Sequence, residues 1–330
     1  TALDGYEYIL TVKGDNSPFY NLAYIASLHT KFKQISTTYP VNMTEANALD
    51  KQLENFFNTY RLNIQNVNLF REWTQLKSLY ANDLQTAKQL LEQAVYQTRL
   101  PAIDLATLKV DLGDILRLTN EVWDAMLLYA QVEKDFPNDT IGHLSKYKNA
   151  KLSFYLGEFD WAKAQLDVLR AATSKLIAND AMNLSMLIFD NQSDDSLNPG
   201  LMYYARADFL LESNRLEQAS LMLDSINDVA LYHSLSDDIL YKKAEIAIKK
   251  NNYPQADSLL SLLIQNYPYD LLADDALYLK ASLYDFYIKD IFTAMDLYQQ
   301  LIKNYPSSIF VVDARKRFRT LRGDVLQQVN

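Results

Sequence analysis

Apolar residues recur along most of the chain at three- and four-residue intervals, the spacing of one helix face. Reading the breaks between these runs gives a succession of helices. Residues 2–12 read as one helix beginning at the first residue. Helices near 19–36 and 43–60 form a first, irregular pair. Pairs then follow near 64–81 and 83–98, 102–118 and 121–135, and 140–156 and 159–171. Residues 175–190 carry a further helical pattern, and the polar run from Gln192 to Pro199 reads as a loop. Regular pairs resume near 200–213 and 216–227, 237–250 and 253–267, and 272–288 and 291–304. A last helix near 309–322 closes the series.

The pattern repeats in sequence as well as in hydropathy. Asp238-Ile239-Leu240-Tyr241-Lys242-Lys243-Ala244 returns one unit later as Asp275-Ala276-Leu277-Tyr278-Leu279-Lys280-Ala281. The second helices that follow end in Asn266-Tyr267-Pro268 and Asn304-Tyr305-Pro306, and Asp135-Phe136-Pro137 closes an earlier copy. Small residues keep the register. Gly113, Ala150, Ala207, Ala244 and Ala281 fall midway along first helices. Ala87, Ala125, Ala162, Ala219, Ala256 and Ala294 fall early in second helices. The interval from first marker to second is the same from Gly113 to Ala125, Ala150 to Ala162, Ala207 to Ala219 and Ala244 to Ala256. From Ala281 to Ala294 it is longer by a single position. A small side chain at each place lets two antiparallel helices approach closely, and a fixed period of this kind marks a repeat array.

This arrangement resembles the tetratricopeptide repeat, a helix–turn–helix unit with small residues at two fixed positions and proline near its end. The resemblance covers roughly residues 64–322 and implies an all-α fold, a right-handed superhelical α-solenoid of stacked antiparallel pairs. The implied organisation is a degenerate N-terminal segment 1–63 continuing a truncated array, pairs over 64–172, an inserted helix and loop over 173–199, pairs over 200–307, and a capping helix and tail over 308–330. The first helix resembles the second half of a repeat whose first half is missing, so the chain is expected to be a fragment or processed form. The units here are longer than is usual for the family. Long units joined by Tyr-Pro are similar to periplasmic members in bacterial envelope assembly. The closing Val312-Asp313-Ala314-Arg315-Lys316-Arg317-Phe318-Arg319 and Leu321-Arg322-Gly323-Asp324 resemble the ends of such proteins in Bacteroidota, a source that 23 tyrosines also fit.

Composition narrows the chemistry. Seven glycines and eight prolines are each roughly 2% of the chain, against usual levels of about 7% and 5%, which leaves too few turns for a sheet protein. A hydrophobic content of 49% supports a continuous core, and a net charge of −9 disfavours nucleic acid as partner. No apolar run approaches the length of a membrane span. With no cysteine, disulfides and thiolate chemistry are excluded, and an oxidising compartment is permitted. The glycines are too scattered for a phosphate-binding loop or a nucleophile elbow. His29, His143 and His233 lie far apart, with none in a zinc-peptidase motif. No catalytic, cofactor or metal site is expected.

What remains is a surface for another protein. The resemblance implies that first helices line the concave face. The residue three before the first marker is tyrosine in four units, Tyr147, Tyr204, Tyr241 and Tyr278. Such rings suit a partner surface, or they pack against the neighbouring first helix. One residue after the marker come Asp114, Lys151, Asp208, Glu245 and Ser282, a mixed and mostly acidic set. In the last helix Val311, Ala314, Phe318 and Leu321 form the packing stripe. Arg315, Arg319 and Arg322 lie beside it, with Lys316 and Arg317 nearby, as either a solvated cap or a dock for an acidic partner. Asp237-Asp238 and Asp274-Asp275 sit at helix starts, where carboxylates cap free N–H groups; a divalent metal is the other reading. His233 near Asp237 reads as a loop histidine, with acid–base chemistry as the alternative. The expected function is a non-catalytic interaction scaffold, periplasmic or envelope-associated, or cytoplasmic. The alternative is an accessory domain of a larger signalling or catalytic protein.

Overall fold

The computed structural model describes residues 2–14, 17–97, 99–172, 175–192, 198–229 and 234–324. Among these the regular elements are all helical, packed in consecutive pairs, with no strand. The chain forms two compact units, residues 1–152 and 153–330.

The first unit contains α1 (Ala2–Tyr8), which runs into a π-helical turn at Ile9–Lys13, α2 (Tyr20–Thr37), α3 (Met43–Thr59), α4 (Val67–Gln75), which continues as a π-helical turn at Leu76–Tyr80, α5 (Leu84–Gln97), α6 (Ala102–Leu118), α7 (Val122–Asp135) and most of α8 (Thr140–Tyr155). The second begins at the end of α8 and contains α9 (Phe159–Ala172), α10 (Lys175–Asn191), α11 (Pro199–Glu212), α12 (Leu216–Asp224), a short α13 (Ile226–Val229), α14 (Ser236–Lys249), α15 (Tyr253–Asn266), α16 (Ala273–Ser282) with a π-helical turn at Leu283–Ile288, α17 (Ile291–Asn304) and α18 (Val311–Arg322). The unit boundary falls inside the block 64–172 that the marker spacing groups together. The helix between 173 and 199 is α10. The expected loop at Gln192–Pro199 lies largely outside the described residues, as does the tail beyond Asp324.

The small-residue register has a direct steric cause. Every marker alanine is buried: Ala87, Ala125, Ala162, Ala219, Ala256 and Ala294 in second helices, and Ala150, Ala207, Ala244 and Ala281 in first helices. At Gly113 the approach is closer still. A Cβ there would lie 2.6 Å from the ring of Tyr129, itself fully buried on α7. Gly142 has a different reason: its Cβ would meet the Phe136 carbonyl oxygen at 1.8 Å, so only glycine lets the first turn of α8 pass that carbonyl. Between the markers, leucines such as Leu166, Leu223, Leu260 and Leu301 fill the seams, each contributing about 1.5–3 kcal/mol by leaving water.

Asparagine ends the first helix of most pairs, which explains how the fold manages with so little glycine. Asn82, Asn120, Asn214 and Asn251 adopt positive φ, and Gly157 takes the same role. Asparagine tolerates the left-handed region better than other residues with a side chain. The next amide folds back onto the helix: Glu121 N–H donates to the Leu116 carbonyl at 2.8 Å and Asn252 N–H to Ala247 at 2.8 Å, a Schellman closure. With the regular interval between markers the turn closes from an α-helix. Between Ala281 and Ala294 the extra residue is absorbed as the π-helical turn Leu283–Ile288 before Lys289 takes positive φ. The same device precedes Asn82. There the π-helical turn Leu76–Tyr80 follows buried Thr74, which stands before Ala87 at the same lengthened interval.

Between repeats, Tyr-Pro has a structural use. The Tyr305 hydroxyl donates to the Pro268 carbonyl at 2.8 Å, tying the end of α17 to the end of the preceding repeat.

Candidate partner-binding face

In each unit the first helices are laced to one another by carboxylates that serve two donors. In the first unit, Asp114 on α6 accepts from the Tyr129 hydroxyl at 2.7 Å and from Lys148 on α8 at 2.9 Å. Asp111, one turn earlier, holds both arms of Arg71 from α4, at 2.5 and 3.0 Å. In the second unit, Asp208 on α11 accepts from the Tyr155 hydroxyl at 2.8 Å and pairs with Lys242 on α14 at 3.0 Å. Lys242 also reaches Glu245 Oε2 at 2.9 Å. At the end of the array, Asp285 accepts from the Tyr298 hydroxyl at 3.1 Å and from both arms of Arg317 on α18, each at 2.8 Å. Charge-assisted bonds of this kind fix orientation as well as adding energy.

This lattice corrects part of the sequence reading. Tyr204 and Asp208 are buried, so neither stands on a surface open to a partner. Asp208 is drawn inward because it collects a hydroxyl and an ammonium. Burial pushes the Tyr204 hydroxyl well above its ordinary range, with Lys242 pulling it back. Tyr147, Tyr241 and Tyr278 are partly exposed. Tyr241 leans on the core formed by Ala244, Leu260, Leu263 and Ala276, and burial raises its hydroxyl pKa. Tyr278 stacks on Phe310 with ring centres 4.4 Å apart and planes 11° from parallel, and meets Tyr298 at 6.1 Å. The tyrosine series is thus not uniform: Tyr204 is core, Tyr278 packs toward the last helix, and Tyr147 and Tyr241 are partly exposed.

The acidic pairs at the helix starts divide their work. Asp237 draws on the backbone N–H groups of Asp237 and Asp238, while burial raises its pKa. Asp238 faces inward: burial, then the neighbouring Asp237 charge, pushes its carboxyl up to about 8. Asp275 is pushed up to about 7 by burial, with Asp274 and Asp180 adding repulsion. Among the described residues no cluster of three or more His, Asp or Glu is arranged to hold a metal ion. His233 lies outside the described residues. His29 instead sits 2.5 Å from Glu72 Oε1, joining α2 to α4.

On α18, Val311 and Ala314 are buried, with Phe318 and Leu321 packed over the core of the last pair. Arg315, Arg319 and Arg322 are exposed; Arg322 pairs with Asp324 and lies 5.4 Å from the Phe318 ring. Arg317, placed among the loose cations by sequence, is instead the clamp on Asp285. The sequence does carry a signal for the lattice. The same interval separates Asp114 from Lys148 and Asp208 from Lys242, with the acid one after one marker and the lysine two before a later one.

Residues 238–268 and 275–308 match the tetratricopeptide repeat family. Both matches end at or just past the Tyr-Pro that joins one repeat to the next. The chain therefore carries tetratricopeptide repeats over this stretch, and proteins with such repeats generally bind other proteins. The family found is typically non-catalytic. No curated protein matches the chain. Among the described residues, no helix is long and apolar enough to cross a membrane.

Proposed function

We propose that the protein is a non-catalytic scaffold that binds a partner polypeptide along the first-helix face of the second unit, in bacterial envelope assembly. One observation carries the reading: Lys242 is held between Asp208 and Glu245 beside the partly exposed Tyr241. A fixed cation, a fixed carboxylate and a partly exposed ring on one helix offer hydrogen bonds and apolar contact at a reduced ordering cost on binding. The envelope setting is supported by the long units and their Tyr-Pro junctions, and a chain free of cysteine is compatible with an oxidising compartment.

The test compares capture of partner proteins from the source cell by the parent chain and by Tyr241→Ala and Glu245→Ala. Loss of the same captured protein with each variant, at about 1–2 kcal/mol in affinity and with folding retained, is the expected result. Undiminished capture by both variants would remove this face from consideration.

A further inference from the structure

The inserted helix α10 lies antiparallel along α9, where Ser185 donates to Asp167 at 2.7 Å and Gln192 to Asp160 at 2.8 Å. Its last turn also reaches forward. Ser234, just before α14, donates its N–H to Asn191 Oδ1 at 3.1 Å and its hydroxyl to the Asp190 carbonyl at 2.9 Å. Those bonds bring Asp190, whose side chain is exposed, to the start of α14, where Asp237 and Asp238 stand. Asp180, Asn183, Leu187 and Asp190 share one flank of α10 by their spacing. On this flank Leu187 is buried, and the enclosed amide oxygen of Asn183 has no hydrogen-bond donor among the described residues.

The flank meets acid rather than base. Asp190 adds its charge to Asp237 and Asp238, and Asp180 adds its own to Tyr241 and Asp275. The other charges facing Asp238 are Asp237, Asp270 and Lys242, and those facing Asp275 are Asp274 and Glu245. Lys242 is the cation of this set, and Asp208 and Glu245 already hold it. Carboxylates brought together from opposed helices coexist only while some of them keep their protons. Burial and these neighbours raise Asp238 to about 8 and Asp275 to about 7. The proton therefore favours the seated helix. That advantage is complete at acid pH and is lost as pH rises through those two values.

We propose that α10 is a proton-gated strap, seated against the starts of α14 and α16 while the acids opposite it are protonated and lifting away when they ionise. Lifting carries Asp180 away from Tyr241 and opens the face assigned above to a partner. That consequence rests on the reading of the Tyr241 face; the movement itself does not.

The chain has no cysteine, so spin labels attach only where one is introduced. Labels at Leu176→Cys in α10 and Leu262→Cys in α15, both exposed positions, report the distance between the strap and the repeats. From pH 6 to pH 9 the mean distance in the full chain is expected to lengthen by several ångströms. With Asp238→Asn/Asp275→Asn added, which keeps the seam neutral, the pH 6 distance is expected to persist at pH 9. A second label pair, Leu221→Cys/Leu262→Cys between α12 and α15, is expected to stay constant throughout. An unchanged strap distance in the parent overturns the proposal. So does equal lengthening with the two asparagines present, or in the α12–α15 pair, because the whole unit would then be loosening. If the strap lifts as expected while Tyr241→Ala captures as much partner as the parent, the gate stands and only the partner face falls.

Discussion

The two repeats at 238–268 and 275–308 begin almost identically and end their first helices differently. In α14 the helix closes on Asn251 after the regular marker spacing, and its charged residues look back: Lys242 to Asp208 and Lys250 to Glu217. In α16 the matching position to Lys242 is Leu279, the helix swells into a π-helical turn, and its acid Asp285 looks forward to Arg317. The position equivalent to Asp285 in the earlier repeat is Ile248. One inserted residue therefore coincides with an added forward bond to α18, while Lys280 still bonds back to Asp257 and Ser261 of the preceding repeat.

The sharpest way to break this contrast is at Asp285. Its carboxylate is nearly inaccessible and serves both Tyr298 and Arg317. Asp285→Ala leaves a guanidinium and a hydroxyl without their acceptor, and a loss of about 3 kcal/mol or more is expected in urea unfolding. Ile248→Ala at the matching position removes only apolar contact. If Asp285→Ala cost no more than a surface substitution, the forward clamp would not hold the cap.

Next in size is overpacking at the markers. Ala244→Leu and Ala281→Leu each force a larger side chain into a fully buried helix contact, at an expected cost of about 1–3 kcal/mol. The π-helical turn begins two residues after Ala281 and is already a departure from regular bonding. Ala281→Leu is expected at the lower end of that range, because the distorted turn can shift where α14 cannot. Equal losses in thermal melts would show that the turn gives no such relief.

The carboxyls Asp238 and Asp275 separate the repeats by pH. Each holds its proton more tightly folded than unfolded, with folded values of about 8 and about 7 against 3.8. Unfolding therefore releases protons between about pH 4 and those values, and stability falls as pH rises through that window. Asp238→Asn removes the ionised buried form and is expected to raise stability above pH 8 by on the order of 1 kcal/mol. Asp275→Asn should do less, and its benefit should be complete by about pH 7. Melting temperatures of parent and variants across pH 5 to 9, read against these folded values, test the order.

The fold was legible in the sequence because its constraints are local. Alanine at a helix crossing and the Tyr-Pro junctions recur at fixed intervals, and the structure keeps them. The lengthened spacing from Ala281 to Ala294 was visible, but spacing alone does not say whether a loop lengthens or a helix swells. The candidate face was legible only in part. Tyr204, Tyr241 and Tyr278 share a repeat position, yet their exposure depends on neighbours that the repeat does not specify. Asp208 is buried in the region of Tyr204, and Phe310 covers Tyr278. The Asp–Lys lacing joins residues on different helices, so it is hidden from a reading that follows one helix at a time.

The smallest expected effect concerns Lys289, the residue that replaces asparagine at the left-handed position in the last repeat. Asn251 and Lys289 both adopt positive φ, at 57° and 65°. A lysine there bears the full steric conflict of Cβ with its own carbonyl, which asparagine offsets by local hydrogen bonding. Lys289→Asn is therefore expected to stabilise by a few tenths, up to about 1 kcal/mol, and Lys289→Gly by a similar amount less the entropy of a freer unfolded chain. Asn251→Lys, the reverse exchange in the preceding repeat, should destabilise by a matching amount. Urea midpoints for the three variants read this directly. If Lys289→Asn left the midpoint unchanged or lowered it, the left-handed lysine would carry no local cost at this turn.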